Sequence, residues 1–553
     1  MKILKIICAL CACALVSCGR SRDIINNDIN NDNNTNVDKE PDNGEDTKDP
    51  SKEDQSSNNL TFEVISEAEK TCCVISCKEY YGDSRDSIIV IPGTYNGYKV
   101  TRVGDGAFDS CYFIKEIIIS DGVKEIGDKA FINCTSLNSI SIPDSVLAIY
   151  SAAFLDCSSL TSITIPKNVN LLNGGIFSGC SSLVEIKVDE NNQYYDSREN
   201  CNAIIETASN TLIVGCVATV IPTSVTTIGT YAFEGCDSLT SITIPNNITT
   251  IQYSAFSHCT SLRTITISSG VKQIDVCAFF NCPYLEYIRV EEGNEVYDSR
   301  DNCNAIIETS TNSLLLGCQS TTIPNGVTSI VEHAFQNSIF LSSISIPDSV
   351  TSIGEFAFQN CDSLTSITIP DSVNLIGEFA FNTCRGLTKI VIPKSVNKIY
   401  SSTFRNCDSL IEISVENGNE VYDSRDNCNA IIETSTNLLL FGCQSTTIPN
   451  SVTSIGSHAF DFCLNLTSIS IPNSVTSIGA HAFEYCVSLT SISIPNNVTM
   501  IGEYAFMCCY ALNDIRFDGT IDQWNSVEKY EYIFLYVPAT VIHCVDGDVA
   551  IEN

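Results

Sequence analysis

Histidine and tryptophan are scarce in this chain, whose 553 residues include only five His and one Trp. Catalytic and metal sites often use histidine, and the sequence has no His-x-x-x-His pair, no Gly-rich phosphate loop and no nucleophile elbow. Three histidines, His333, His458 and His481, occupy one variable position before a repeated Ala-Phe pair, which indicates surface positions. We therefore predict that the protein is not an enzyme and has no catalytic residues, no cofactor and no metal site.

Basic residues are also in short supply. Lys and Arg number 30 against 65 Asp and Glu, so the formal net charge is −35. Affinity for nucleic acid depends on cations that neutralise phosphates, and basic side chains likewise hold proteins to anionic lipid. The composition therefore predicts no nucleic-acid partner and no direct adhesion to lipid. The negative charge keeps an apolar-rich protein soluble.

An apolar run from Ile6 to Val16 follows Lys2 and Lys5 and is too short to span a bilayer. It predicts a signal peptide over residues 1–17. The end of this run, Leu15-Val16-Ser17-Cys18, resembles a bacterial lipobox, which makes Cys18 the predicted lipidation site. The alternative is an ordinary signal peptide that leaves Cys18 as a free thiol. Residues 18–59 hold few large apolar groups and predict a disordered tether, so the membrane is contacted through the lipid anchor only.

What the chain has in abundance is a repeat. Phenylalanines recur every 23 residues within four groups, and 56 residues separate each group from the next. The repeat phenylalanines are Phe108, Phe131, Phe154, Phe177, Phe233, Phe256, Phe279, Phe335, Phe358, Phe381, Phe404, Phe460, Phe483 and Phe506. A coil of 23 residues cannot bury its own apolar face, so it must stack on its neighbours. The spacing predicts a solenoid with three equal interruptions.

Each position in a repeat copy has a predictable task. Between Leu364 and Ile369, the Leu-x-x-Ile-x-Ile spacing alternates inward and outward residues, as a short strand does. Pro370 lacks a backbone donor and should end that strand. Gly377 is expected to allow a turn that a Cβ would strain, and Phe381 to pack into the coil interior.

The recurring unit Ile-Pro-x-Ser-Val-Thr-Ser-Ile-Gly-x-x-Ala-Phe-x-x-Cys-x-Ser-Leu-Thr-Ser-Ile resembles that of BspA-like leucine-rich-repeat cell-surface proteins and lipoproteins. The resemblance implies an α/β leucine-rich-repeat solenoid over residues 100–515, with 23-residue coils, short parallel strands on the concave face and three hairpin-containing insertions. Residues 60–99 and 516–553 depart from the unit and are expected to cap the two ends, with Trp524 covering the last coil. The resemblance also implies a bacterial cell-envelope protein, here lipid-anchored at the outer membrane and facing outside.

Most of the 29 cysteines fall three residues after a repeat phenylalanine, with Ser338 in place of Cys in one copy. Thiols spaced 23 residues apart along a solenoid cannot converge on one metal ion, and they predict buried, reduced apolar filling. Three further pairs lie in the interruptions, where a two-residue turn at Ala208-Ser209 would bring the first pair face to face. The possible disulfides are Cys201 with Cys216, Cys303 with Cys318, and Cys428 with Cys443.

Two sets of residues are candidates for ligand binding. The interruptions repeat a Tyr-Asp-Ser-Arg motif, and Tyr and Arg are enriched in binding hot spots, although an Asp–Arg clamp within the loop is the alternative. Outward Ser and Thr on successive strands predict two rows of hydroxyls, unless they are simply small residues that suit a strand. The candidates are Tyr195, Arg198, Tyr297, Arg300, Tyr422, Arg425, Ser241, Thr243, Ser366, Thr368, Ser468 and Ser470.

The anchor, the tether and the long periodic surface together predict a surface-anchored binding scaffold. The resemblance makes it adhesin-like, with a host matrix protein, another cell or a glycan as the extracellular partner. Repeated weak contacts would supply the affinity. Two alternatives stay open, namely a glycan-capturing surface lipoprotein of a nutrient-uptake system and a purely structural or water-ordering surface protein.

Overall fold

The fold is built from coils of about 23 residues, and each regular coil contains two short strands. The computed structural model describes residues 60–77 and 88–551. Within them the chain forms a β-solenoid of about 19 turns. The first strand of a coil is the predicted Ile-x-Ile segment. The second is a two-residue segment such as Ser352–Ile353, which is too short to show the alternation of a strand in sequence.

The first strands of successive coils stack in parallel and form the long ladder. Ser162–Ile165 pairs in register with Glu185–Val188. Ile163 and Ile165 are buried, and Thr164 between them is exposed. The long-ladder strands, with the antiparallel strand that closes the ladder, are Ile88–Ile91, Glu116–Ile119, Ser139–Ser141, Ser162–Ile165, Glu185–Val188, Ser241–Thr243, Thr264–Ile267, Tyr287–Val290, Lys389–Ile392, Glu412–Val415, Ser491–Ile494, Asp514–Phe517, Val541–Cys544 and Gly547–Ala550.

The second strands stack separately and form the short ladder. Ser352–Ile353 pairs in parallel with Ser329–Ile330 before it and with Leu375–Ile376 after it. In each of these strands the isoleucine is buried. The short-ladder strands are Glu125–Ile126, Ala148–Ile149, Leu171–Leu172, Thr227–Ile228, Thr250–Ile251, Gln273–Ile274, Ser329–Ile330, Ser352–Ile353, Leu375–Ile376, Ser454–Ile455, Ser477–Ile478, Met500–Ile501 and Glu528–Lys529.

The remaining elements belong to the ends and the interruptions. An antiparallel pair, Leu60–Ser66 with Thr71–Cys77, begins the described part and pairs onward with Tyr98–Val103, which also pairs with Thr94–Tyr95. The interruption strands are Tyr195–Asp196, Ile204–Glu206, Thr211–Val214, Tyr297–Asp298, Ile306–Glu308, Ser313–Leu316, Tyr422–Asp423, Ala430–Glu433 and Leu438–Gly442. Short 3-10 turns cover Arg198–Asn200, Arg300–Asn302 and Arg425–Asn427.

The solenoid, its 23-residue coils and its three hairpins are confirmed, but the α/β label is wrong for the described residues. They contain one α-helix, Ile521–Ser526, which starts with a capping box between Thr520 and Gln523. Elsewhere the side of each coil that carries the Phe residue is a run of turns, in which residues such as Phe356 and Asn360 take left-handed φ values of 54° and 57°. A right-handed helix cannot continue through such residues.

The repeat phenylalanines form a continuous stack in the interior. Phe358 is fully buried, and its ring centroid lies 5.0 Å from that of Phe335 and 5.3 Å from that of Phe381. The repeat cysteines line the stack, and the Sγ of Cys384 donates to the backbone carbonyl of Phe358 at 3.1 Å. Their predicted role as interior filling agrees with this position. A Cβ at Gly377 would lie 2.6 Å from the backbone nitrogen of the preceding coil's Glu355, so this glycine allows close stacking and does not relieve a strained turn.

Trp524 lies inside the last coils and does not cover their end. It is 3% exposed and packs against Phe517 and Phe534 at ring-centroid distances of 5.3 and 6.5 Å. A further turn follows it, in which Phe534 stacks on Phe506 at 5.5 Å. The antiparallel pair Val541–Cys544 and Gly547–Ala550 then ends the long ladder.

Candidate ligand-binding surface

The outward side chains of the long ladder line up in rows, because neighbouring strands pair in register. Ser241 pairs with Thr264, and Ser345 forms a parallel bridge with Thr368. Adjacent strands lie about 4.8 Å apart, so a row presents one side chain at that interval. The six candidate hydroxyl residues are all exposed, and none of their hydroxyls makes a hydrogen bond within the described part of the chain. They are Ser241, Thr243, Ser366, Thr368, Ser468 and Ser470.

Charged and aromatic residues divide these rows into segments. The coil before each interruption departs from the Ser/Thr pattern at its outward positions. These positions hold Glu185 and Lys187, which form an ion pair, before the first interruption, and Tyr287 and Arg289 before the second. Glu412 occupies the first such position before the third. No hydroxyl row therefore extends through the whole described ladder.

An exposed group of aromatic and basic side chains lies beside the second interruption. This aromatic patch consists of Arg263, Tyr284, Tyr287, Arg289 and Phe340. The ring centroids of Tyr284 and Phe340 are 5.1 Å apart, and the guanidinium of Arg263 lies 5.6 Å from the Tyr284 centroid. Tyr284, Tyr287 and Phe340 are 39%, 58% and 43% exposed. Aromatic and arginine side chains dominate the binding energy of many interfaces, so this patch suits a ligand anchor.

The tyrosines of the three interruptions lie inside the molecule. Tyr195, Tyr297 and Tyr422 are each 5% exposed. The hydroxyl of Tyr195 accepts a 3.0 Å hydrogen bond from the backbone N–H of Leu172, where the short ladder breaks before the hairpin. This bond satisfies a buried donor that the next strand would otherwise accept from. Because burial keeps their rings from the surface, the three tyrosines serve the fold and are not part of the ligand-binding surface.

The arginine of each interruption is held in a clamp. Arg198 pairs with the Asp196 carboxylate at 2.6 Å and donates to the side-chain oxygen of Asn210 at 3.0 Å. The Asp–Arg clamp that the sequence left as an alternative is therefore present. About a quarter to a third of each arginine side chain is exposed, namely 27% for Arg198, 30% for Arg300 and 27% for Arg425. Ligand contact by these arginines stays a prediction.

One asparagine fastens each interruption to the coil before it. The buried Asn192 donates from Nδ2 to the backbone carbonyls of Pro166 and Val169 at 2.8 and 2.9 Å. Its Oδ1 accepts from the backbone N–H groups of Tyr194 and Tyr195, both at 2.9 Å. Four backbone groups thus depend on one side chain, a role that sequence reasoning missed. Asn294 and Asn419 make the equivalent four bonds in the other interruptions.

Replacing Asn192 with alanine should lower the free energy of unfolding by about 2 to 4 kcal/mol, because several buried backbone groups lose their partner. The matched control is Asn191→Ala, since the neighbouring Asn191 is exposed and bonds only within its own loop, to Asp189. Urea unfolding followed by circular dichroism measures both variants. Equal losses in the two variants would contradict the role assigned to Asn192.

The cysteines paired in each interruption are free thiols that face opposite sides of the hairpin. A bulge between Ile204 and Ile205 shifts the pairing by one residue, and such a shift reverses which side a residue faces. Cys201 therefore packs in one apolar cluster with Ile205, and Cys216 packs in the adjacent cluster with Ile204. The same shift recurs in the other two hairpins. The expected bonds Cys201–Cys216, Cys303–Cys318 and Cys428–Cys443 do not form for this reason.

Two histidines stack on neighbouring coils near the third interruption. The ring centroids of His458 and His481 are 4.7 Å apart, and their planes differ by 6°. His458, His481 and Glu484 each have a ligand atom within 4.8 Å of the others, and they are the one such group among the described residues. The sequence predicted no metal site because a motif search looks for ligands close together along the chain. The missed signal was histidine at the same repeat position in consecutive coils.

The signal peptide, Cys18 and the tether fall outside the described residues. Lipid attachment at Cys18 therefore stays a prediction. Among residues 60–77 and 88–551, no helix has the length and apolar character of a membrane-spanning segment.

The stacked coils, the parallel ladders and the repeat phenylalanines define a leucine-rich-repeat solenoid. A family model described as BspA type leucine rich repeat region matches residues 96–209, 215–313, 315–430 and 440–532. These segments make up more than half of the chain, which therefore belongs to the BspA-type leucine-rich-repeat family. The resemblance seen in the repeat unit is confirmed.

Solved structures of similar proteins come from several bacteria. A leucine rich cell surface protein of Faecalibacterium prausnitzii is 26% identical over 85% of this chain and 96% of its own, with a TM-score of 0.37. A leucine-rich repeat protein of Eubacterium ventriosum is 18% identical, with 81% and 95% coverage and a TM-score of 0.35. The pneumococcal vaccine antigen PcpA is 16% identical, with 90% and 98% coverage and a TM-score of 0.36. None of the curated proteins matches this chain.

Proposed function

We propose that this protein is a surface-anchored, adhesin-like scaffold that binds an extracellular protein or glycan through the exposed face of its long ladder. The main support is the set of exposed Ser and Thr hydroxyls that make no hydrogen bond within the described part of the chain. Hydroxyls both donate and accept, so such a face suits the polar groups of sugars and of extended backbone alike. The role is binding and not catalysis.

Repetition compensates for the weakness of each contact. One neutral hydrogen bond contributes a net of about 0.5 to 1.5 kcal/mol, which is too little to retain a partner. A row presents equivalent hydroxyls in neighbouring coils, as Ser241 and Thr264 show. A ligand that repeats its own polar groups can occupy several of these positions at once, and linked contacts raise the overall affinity.

The aromatic patch supplies stronger contacts beside the weak ones. Tyr284, Tyr287 and Phe340 expose ring surface, and Arg263 and Arg289 are rare cations on an acidic protein. Burial of an aromatic ring at an interface removes a large apolar area from water. Tyr287 and Arg289 also stand in the same outward positions as the hydroxyls. One ligand can therefore contact the patch and the adjoining row together.

The divided rows argue against a water-ordering role. An ordered water layer requires a long uniform array, whereas Glu185, Lys187, Tyr287 and Arg289 interrupt the hydroxyls. The mixture of hydroxyl, charged and aromatic groups is more typical of a surface that recognises a partner.

The location we propose is the bacterial cell surface, with the lipid at Cys18 as the anchor. The lipobox-like Leu15-Val16-Ser17-Cys18 and the Asn- and Asp-rich segment after it support this location. The similar Faecalibacterium protein is described as a cell surface protein. A flexible tether would let the ladder face a partner beyond the membrane.

Bacteria that display the full chain provide the test. We expect them to bind at least one member of a panel of matrix proteins and glycans that bacteria without the chain do not bind. A triple variant, Tyr284→Ala, Tyr287→Ala and Phe340→Ala, should lower that binding at least tenfold. The control is the double variant Tyr510→Ala and Tyr530→Ala, which removes two exposed rings outside the patch, 57% and 51% exposed.

Three outcomes separate the possibilities. Binding confined to glycans would favour capture of carbohydrate over adhesion to protein. Equal loss in the triple and double variants would remove the patch from the proposal. If no panel member binds, the adhesin-like function is wrong. Protease shaving of intact cells shows separately whether the chain faces outside.

A further inference from the structure

His458 and His481 are oriented by carboxylates that lie behind the rings. The Nδ1 of His458 is 2.9 Å from an Asp461 oxygen, and the Nδ1 of His481 is 2.8 Å from a Glu484 oxygen. A neutral imidazole that donates from Nδ1 to a carboxylate keeps its lone pair on Nε2. Neither Nε2 has a partner within the described part of the chain. The two rings thus present equivalent free nitrogens from adjacent coils.

The groups behind the rings favour an added cation. Asp461 and Glu484 are 2% and 5% exposed, and Arg405 lies 2.5 Å from the first carboxylate and 3.8 Å from the second. With neutral imidazoles, two carboxylates and one guanidinium leave a net charge of −1. Asp461 also has a buried oxygen, Oδ1, with no hydrogen-bond partner. A nearby positive ion would offset this uncompensated charge.

The rings are accessible and close to the separation that one ion requires. The side chains of His458 and His481 are 26% and 28% exposed. Two nitrogens on one tetrahedral zinc ion lie about 3.4 Å apart, given zinc–nitrogen bonds near 2.05 Å. Rings with centroids 4.7 Å apart therefore need to tilt together by about 1 Å. Rotation of the two side chains supplies such a shift without moving the coils.

We propose that His458 and His481 bind one divalent transition-metal ion, such as Zn²⁺ or Ni²⁺, through their Nε2 atoms. Imidazole is a preferred ligand for these ions. Asp461 and Glu484 act behind the rings, where a carboxylate on the second nitrogen orients a metal-bound histidine and raises its basicity. Water completes the coordination, because the site faces solvent. The ion joins two adjacent coils next to the third interruption.

Calorimetric titration of the reduced full chain with Ni²⁺, and separately with Zn²⁺, tests this site. We expect one ion per chain, and we expect His458→Gln and His481→Gln each to weaken its binding at least tenfold. The matched control is His333→Gln, because His333 occupies the same repeat position but has Phe280 and Phe356 as its ring neighbours. That variant should bind as the parent does.

A second variant separates the carboxylate's role from that of the histidines. Glu484→Gln keeps an oxygen that can accept from His481 but loses the charge, so the affinity should fall about ten- to hundredfold while the stoichiometry stays at one. Thermal unfolding without metal shows whether each variant is folded. Unchanged affinity in both histidine variants would overturn the proposal, and so would an equal loss in His333→Gln.

Discussion

Replacing Phe358 with alanine is expected to lower the free energy of unfolding by about 3 to 5 kcal/mol, the largest single-residue effect we expect on stability. The side chain is fully buried between Phe335 and Phe381, so its removal leaves a cavity and breaks two ring contacts. Coils in a solenoid contact only their neighbours. The loss should therefore concentrate in the adjoining coils. Hydrogen exchange measures it there, and guanidinium unfolding measures the total.

Phe113→Ala is the control for this variant. Phe113 is 38% exposed and its removal leaves no interior cavity, so we expect a loss of about 0.5 kcal/mol. A loss for Phe358→Ala as small as that for Phe113→Ala would show that the stack of rings is not the main source of coil cohesion. A uniform loss of protection along the chain would contradict nearest-neighbour stacking.

Alkaline conditions are expected to unfold this protein steeply above pH 9. Burial raises the pKa of four repeat thiols from the usual 9.0 to about 12, those of Cys236, Cys282, Cys407 and Cys509. Between these values the unfolded chain has lost the thiol protons and the folded chain has not. The free energy of unfolding therefore falls with rising pH, by about 1.4 kcal/mol per pH unit for each thiol. Four thiols remove about 5 kcal/mol per pH unit, comparable with a typical total stability within two units.

A double variant isolates the thiol contribution. In Cys282→Ala with Cys407→Ala, the slope of unfolding free energy against pH should become shallower by about 3 kcal/mol per pH unit between pH 9 and 12. Ser338→Ala changes the equivalent repeat position without removing a titrating group and should leave the slope unchanged. Denaturant unfolding under reducing conditions, repeated from pH 7 to 11, gives the slopes. A parent slope retained by the double variant would contradict the thiol origin.

The interior could be predicted because every copy repeats the same demands. The Leu-x-x-Ile-x-Ile spacing identified the long-ladder strands, and the Phe and Cys positions identified the core. The short ladder was missed because two residues carry no period. The absence of helix was also missed. It depends on left-handed residues such as Phe356, whose identity does not reveal the conformation.

The interruptions show where local reasoning fails. The hairpins were predicted from turn residues, but the bulge at Ile204 and Ile205 was not, because both residues suit a regular strand. That one-residue shift separates Cys201 from Cys216. The Tyr-Asp-Ser-Arg motif suggested a binding loop, yet Tyr195 is buried because the broken ladder leaves the Leu172 N–H to be satisfied.

The sequence by itself determined the coil length, the buried positions, the three interruptions and the outward hydroxyls, because each follows from a period that stacking must satisfy. Only the tertiary structure decided which outward residues meet. Stacking brings His458 within 4.7 Å of His481 although they are 23 residues apart. At the second interruption, Tyr284 meets Phe340 across 56 residues, because a hairpin replaces the Phe turn of the intervening coil and the turns on either side come into contact. The candidate metal site and the aromatic patch both arise from such contacts between coils.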